Sequence, residues 1–471
     1  MSFLNHGANI TKIYQLKRVS QKSIDYFCYN SNNWCSLKRT YSCFSHSDLQ
    51  VLKQQLLHWS KRYAATVLLD SNDYPHTKNQ YDFILATDPL FHFRQNSNNA
   101  FEALQKQIDT REDWLFGYLS YDLKNDLEAL ESKHKDSLEF PELYFFQPKR
   151  LWIIKGSQVE AHYVSSCDPQ EDWQSITNGT FDQTAPDNEI APFQSRISKE
   201  DYISKVLKLQ QHIARGDIYE VNFCMELYTE NAKVAPHELF QQLNSNTKSP
   251  FASFIHLDDK YLLSSSPERF LKRKGNVLIS QPIKGTVRRH ADKIKDAEEA
   301  MHLQQNEKER AENTMIVDLV RNDMSRIAKK GSVDVKELCK VYPFRYVHQM
   351  ISTVTAELSS EVKATEAIAA CFPMGSMTGA PKLRAMQLIE EYEVSKRGLY
   401  SGAVGYIDPK GDFDFNVVIR SILYRSDTNY LSMQVGSALT ASSDPEKEYD
   451  ECLLKAKGVM ETIAQQIPIN L

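Results

Sequence analysis

The order of elements along the chain predicts an α+β fold, and three observations carry it. Strand patterns joined by tight turns recur over residues 251–290 and 400–440. Helical patterns stand in separate groups, at 47–63, from Ser198 to Gly216, at 291–329, 361–370 and 382–392, and for roughly twenty residues from Pro445. Successive strand–helix–strand units, the mark of a parallel sheet, are not evident.

Length and composition set the bounds. At 471 residues the chain exceeds one ordinary core, which suggests two or three domains. With 41% hydrophobic and 25% charged residues it reads as globular, not disordered. A net charge of -5 leaves no large basic surface and argues against nucleic acid as a partner. Short basic groups, Lys272 to Lys274 and Arg288 to His290, read as solvated faces. The eight cysteines are scattered without a CxxC pair, so zinc and iron–sulfur sites have little support. No segment approaches 18 apolar residues and no basic-then-apolar leader opens the chain, so a cytoplasmic, non-membrane setting is expected.

In chain order, residues 1 to about 45 mix polar and aromatic residues, and short strands are expected there. Ser47 is placed to cap a helix with Leu49, Leu52, Leu56 and Leu57 on its apolar face. Residues 71–81 are polar. The aromatic run 114–122 reads as a buried strand or turn, and 151–164 as strands. Residues 166–196 are poor in aliphatics and rich in Asp, Asn, Pro, Thr and Gln, which predicts a linker or long surface loop. Ser198 then caps a helix with Asp201 at its third position. Tyr202, Val206, Leu209 and Ile213 form its stripe, and Gly216 ends it. Lys274, Gly275 and Asn276 read as a tight turn between antiparallel strands, and Pro381 introduces the helix at 382–392.

Several residues could carry chemistry. Glu309 and Glu312 share one helix face, as do Glu448 and Glu451 on the last helix. Such pairs are ordinary on solvated faces. If the four converged, their repulsion would call for a hard cation such as Mg²⁺. Lys284 lies on an apolar strand before a glycine. Edge-strand lysines ordinarily point to water, whereas one in a closed site can act as a nucleophile or base. Gly-Ser-Met-Thr-Gly-Ala-Pro-Lys at 375–382 precedes a helix and could let backbone approach an anion. It lacks the spacing of a phosphate loop, so ATP binding is not expected. Arg420 ends an apolar strand, where it could clamp a carboxylate or pair with an internal acid.

These pieces fall in one order: Ser-Pro-Glu-Arg-Phe at 266–270, Pro-Ile-Lys-Gly-Thr at 282–286, and Glu-Arg-Ala-Glu-Asn opening the stretch 309–323. His348, the run 375–382, Ser-Gly-Ala-Val-Gly-Tyr at 401–406 and Glu-Tyr-Asp-Glu at 448–451 follow. Together they resemble the chorismate-utilising enzymes, the family of anthranilate, aminodeoxychorismate, isochorismate and salicylate synthases. The resemblance is strong from about 200 to 465 and weak before about 110. It implies an anthranilate synthase component I-like fold of two packed antiparallel sheets flanked by helices. Residues 1–165 would form the N-terminal part, 166–196 a linker or crossover, and 197–471 the chorismate-binding catalytic region.

The resemblance also implies roles. Glu312 and Glu451 would hold Mg²⁺, with Glu309 and Glu448 in support. Arg420 and backbone near Gly436 would clamp the pyruvyl carboxylate of chorismate. Thr286, Thr378, Gly379, Tyr406 and Lys455 would complete the substrate contacts. Glu268 would protonate the departing 4-hydroxyl, and His348 would lie near the ring. By their residues alone, Glu268 reads as a solvated turn acid and His348 as a satisfied structural histidine.

Lys284 separates the family's branches. Anthranilate and isochorismate enzymes carry a small residue there, and aminodeoxychorismate enzymes carry lysine. The resemblance thus implies amination of chorismate at C4 through a covalent Lys284 adduct at C2. The amine must be neutral to attack, and a closed site beside Mg²⁺ is expected to lower its pKa. Ammonia would come from a separate glutamine amidotransferase subunit, and a separate aminodeoxychorismate lyase would act downstream. The stretch 435–443 departs from the family's glycine-rich pattern, with Ser437 and Ala438 at small or glycine positions. Anthranilate synthesis and a non-catalytic chorismate-binding regulatory subunit are the alternatives.

Overall fold

The structure, a computed structural model, describes residues 21–25, 38–74, 79–179 and 188–463. Its strands form two antiparallel sheets. They are joined because the long strands Phe83–Gln95 and Leu143–Lys155 run from one into the other. The first sheet continues from Phe83–Gln95 through Ala65–Asp70, Phe251–Leu257, Lys260–Ser266, Ser421–Arg425 and Tyr430–Leu439 to Glu220–Thr229. The second continues from Leu143–Lys155 through Leu115–Leu119, Ala403–Ile407, Phe413–Val417, Arg269–Lys274 and Val277–Gln281 to Val347–Glu357. Residues on either side of 166–196 therefore build the same sheets.

Alternation explains the layers. Successive strand side chains face opposite ways, so Val67, Ile84 and Ala86 enter the core between the sheets. Their neighbours Leu68, Phe83 and Leu85 enter the second core, beneath the outer helices. Helices Leu49–Trp59, Lys199–Ala214, Pro236–Thr247 and Pro445–Ile463 cover that face of the first sheet. Helices Ala100–Arg111, Glu307–Ser325 and Ala364–Cys371 cover the second. With both faces covered, strands such as Leu115–Leu119 are buried throughout.

Most expected elements are present. The helix from Lys199 starts on Ser198, whose hydroxyl accepts from the Asp201 N–H at 3.1 Å. Gly216 follows it at φ +81°. The helix at Lys382–Tyr392 has the expected bounds. Three expectations are corrected. Asp48, not Ser47, caps the first helix, because its carboxylate accepts from both Gln50 and Val51. Residues 166–196 hold a helix, Pro169–Asn178, capped by Asp168. Its apolar face combines one aromatic residue with one aliphatic: Trp173 stacks on Phe44 at 4.5 Å, beside buried Ile176. The basic groups are partly drawn inward: Lys272 is buried beside Asp414, and Arg289 pairs with Asp296 at 2.7 Å. Of the first 45 residues, Gln21–Asp25 and Lys38–Phe44 form an antiparallel pair. The rest of the expectation for 1–37 lies outside the described residues, as do positions 75–78 and 180–187. Among the described residues no helix is long and apolar enough to cross a membrane.

Candidate active site

The site forms where Glu220–Thr229, the last long strand of the first sheet, approaches Ile283–Arg288 of the second. Pairing of Ile283–Arg288 with its neighbour slips one residue between Ile283 and Thr286. Lys284 and Gly285 occupy this bulge, and Gly285 takes φ +83°. A bulge re-aims side chains, and here it turns Lys284 inward. Its side chain is only 10% exposed, and Nζ donates to Glu220 Oε1 at 2.6 Å. The solvated edge lysine of the ordinary reading is absent.

Two opposing effects act on the charge of Lys284. Burial pushes its pKa down, but Glu220, Glu312 and Glu268 outweigh burial and hold it above the usual lysine range. Lys284 and Glu220 stand as an ion pair.

Glu268 is also buried, not a solvated turn acid. It follows Pro267 between two strands, where Val417 N–H donates to its backbone carbonyl at 3.0 Å. Ser376 Oγ donates to its carboxylate at 2.7 Å. Burial pushes its pKa up to about 7, against the opposing pull of Ser376 and Lys284. A carboxyl poised there can donate a proton near neutral pH.

The four helical glutamates gather beyond Lys284. Lys308 Nζ stands 3.8 Å from both Glu312 Oε1 and Glu448 Oε1, bridging the two helices. Burial, with Glu220 and Glu309 nearby, pushes Glu312 up to about 7 despite Lys284. Its Oε1 is buried without a hydrogen-bond partner. Burial also raises Glu309, with Glu451 repelling it. Glu451 is held below its usual range, because Lys455, at 2.7 Å, Lys308 and Lys284 outweigh burial. Ser437, at a departing position, donates its hydroxyl to Glu448. Among the described residues no three acidic, histidine or cysteine side chains stand close enough to close around a metal ion. The oxygen-only donor set and the orphaned buried Glu312 oxygen nevertheless fit a hard divalent cation.

Arg420 sits at φ +52°, a strained position for a non-glycine residue. Among the described residues its guanidinium forms no hydrogen bond or ion pair, so the internal-acid reading does not hold. Burial lowers its pKa, against Tyr400 and Glu451. A desolvated, uncommitted guanidinium suits a carboxylate ligand.

The 375–380 segment is bound from behind. Arg397 donates to Met377 O at 2.6 Å and Asn222 O at 2.8 Å, and Asn222 Nδ2 donates to Ser376 O at 2.9 Å. Lys382 is committed to Asp323 at 2.5 Å and to Pro373 O at 2.7 Å, so it is not a phosphate lysine. The buried Thr378 hydroxyl is turned onto its own turn, 3.3 Å from Met374 O and Gly375 O. Gly379, at φ +149°, lies against Glu220, and a Cβ there would stand 2.2 Å from Glu220 O. Gly379→Ala is expected to destabilise the protein by roughly 2–4 kcal/mol, read from its urea midpoint.

Other expected contacts lie elsewhere or are already engaged. Gly436 O accepts from Lys455 Nζ at 2.8 Å, so Lys455 serves Gly436 and Glu451. A Cβ at Gly436 would meet Asn222 Oδ1 at 2.4 Å. Thr286 is exposed beyond the bulge. His348 is buried with Nε2 3.0 Å from Asp296 Oδ1, while its Nδ1 has no hydrogen-bond partner. Tyr406 stands apart. Its strand register sets it opposite Phe116 and Asp414, and it lines a different cleft with Asp70, Asn79, Tyr81 and Phe251. The sequence reading missed Glu220 and Ser376. An acid inside the apolar run 218–227 was the available signal for Glu220.

The glutamates, the inward lysine and the buried acid thus lie where the two antiparallel sheets meet. The profile of the chorismate binding enzymes covers residues 54–461, and the chain belongs to that family. It is a chorismate-utilising enzyme, as the ordered motifs implied. Aminodeoxychorismate synthase component 1 of Klebsiella aerogenes is 35% identical over 73% of this chain and 76% of its own. Anthranilate synthase component 1 of Acetivibrio thermocellus is 32% identical over 74% of each chain. The crystal structure of anthranilate synthase component I from Streptococcus pneumoniae superposes with a TM-score of 0.70 at 25% identity, covering 80% of this chain and 91% of that one.

Proposed function

We propose that this enzyme aminates chorismate at C4, giving 4-amino-4-deoxychorismate by way of a covalent Lys284 adduct at C2. The observation that carries this reading is Lys284 itself, held inward beside a protonatable Glu268. The resemblance gives the anthranilate enzymes a small residue at that position.

The residues divide the work. Arg420 binds the pyruvyl carboxylate, and backbone around Gly436 lines that end. Lys284 Nζ forms a bond to C2 while both double bonds of the ring diene shift and the C4–O bond breaks. Glu268 gives its proton to the departing oxygen, because hydroxide alone leaves poorly. Ammonia then bonds to C4, both double bonds shift back, and the Lys284 amine leaves C2. Ser376 orients Glu268. Glu312 and Glu451, supported by Glu309 and Glu448, would hold Mg²⁺. That ion would bind the ring carboxylate and balance the local negative charge. A separate glutamine amidotransferase supplies the ammonia, a separate lyase makes 4-aminobenzoate, and the setting is cytoplasmic.

Product analysis tests this. Protein, chorismate, Mg²⁺ and ammonium should yield aminodeoxychorismate, converted to 4-aminobenzoate only when lyase is added. Anthranilate as the product would overturn the reading. Chelation should abolish turnover and added Mg²⁺ restore it. Glu312→Gln should raise the Mg²⁺ required for half-maximal rate by at least about 10-fold.

A further inference from the structure

We propose that Glu220 is the proton acceptor that discharges Lys284 for its attack on the substrate ring. The chemistry rests on the amination proposed above. Lys284 cannot attack as an ammonium, so its proton needs a destination. Five carboxylates face it: Glu220 from the strand Glu220–Thr229, Glu268 from its turn, Glu309 and Glu312 from the helix Glu307–Ser325, and Glu451 from the last helix. Among these only Glu220 is hydrogen-bonded to Nζ, at 2.6 Å. Glu268 must keep its own proton for the leaving oxygen.

The surroundings of Glu220 favour the transfer. Its side chain is 1% exposed, and its second oxygen, Oε2, is buried without a hydrogen-bond partner. A buried ion pair is penalised relative to its neutral form when its lone pairs are unsatisfied. Substrate closing over Lys284 removes the remaining water and pushes the same way. The loop side of the site fixes the geometry: Tyr219 and Asn222 N–H donate to Ala380 O and Thr378 O, at 2.7 and 2.8 Å, on either side of Glu220.

The step balances without a co-reactant. A proton moves from Lys284 Nζ to Glu220 Oε1, and the freed lone pair forms the bond to C2. When ammonia has bonded to C4 and Lys284 departs, Glu220 returns the proton and the pair is restored.

The test compares wild-type, Glu220→Gln and Glu220→Asp in two measurements. Competitive acetylation across pH, read by mass spectrometry at Lys284, reports the amine's titration without turnover. Initial rates across pH at fixed free ammonia report the chemistry. Glu220→Gln removes the negative partner, so Lys284 should titrate at least about one unit lower. Its rate at pH 7 should fall about 10²- to 10³-fold relative to wild-type, and that ratio should narrow as pH rises and solvent takes the proton. Glu220→Asp keeps a carboxylate and should lie between the other two in both measurements. A merely structural role would lower the rate equally at all pH values.

An unmoved Lys284 titration in both variants, or an unchanged rate at pH 7 in Glu220→Gln, would overturn the role of Glu220. Anthranilate from the wild-type protein would instead overturn the amination reading, whatever the labelling shows.

Discussion

Replacing Lys284 with alanine is expected to abolish amination while leaving the protein folded. The loss should be about 10³-fold or more in kcat, since the variant must displace the 4-hydroxyl without a covalent relay. Chorismate should still bind, because Arg420 and the glutamates are untouched. The fold should survive because Lys284 lies in a bulge where the sheet's pairing is already interrupted. Removing one partner of a buried pair does leave Glu220 unbalanced. Some stability loss is therefore expected, read from the urea midpoint. Rapid-quench mass spectrometry of the intact wild-type protein should find the adduct mass, and the alanine variant should lack it. A variant that aminates at near wild-type rate would remove Lys284 from the reaction.

The second large effect belongs to Glu268. Glu268→Gln keeps the shape and removes the proton, and should lower kcat about 10²- to 10⁴-fold. The sign of the pH dependence follows from burial, which pushes this carboxyl up to about 7. The acid is protonated and competent below that value and ionised above it. Wild-type turnover, at a constant concentration of free ammonia, should therefore decline as pH rises through about 7. The decline should vanish in the glutamine variant. Ser376 sits 2.7 Å from the carboxylate and stabilises its ionised form. A wild-type rate that is level from pH 6 to 9, with the variant parallel to it, would rule Glu268 out as the acid.

Much of this protein was legible in the chain alone. Helices appear where polar caps precede an apolar stripe at helical spacing, because cap and period are local properties, as Ser198 with Tyr202, Val206 and Leu209 shows. The family followed from the order of its motifs, and with it the two-sheet fold. The helix at Pro169–Asn178 was missed because its burial uses Trp173 stacked on Phe44, a partner 129 positions away. Counting aliphatics within a window cannot register such a contact.

By itself, then, the sequence determined the family, the class of fold and the residue types that the chemistry needs. What only the tertiary structure decided is how those residues are charged and with what they are paired. A bulge turned Lys284 onto Glu220, and three acids from three different elements raised its pKa where burial alone would lower it. Burial raised the Glu268 carboxyl to about 7. Lys455 was spent on Gly436 and Glu451, and Tyr406 was sent to another cleft. The physical reason is common to all of these. Protonation and pairing depend on distances between side chains far apart in sequence and on the water excluded between them, and neither exists until the sheets have closed.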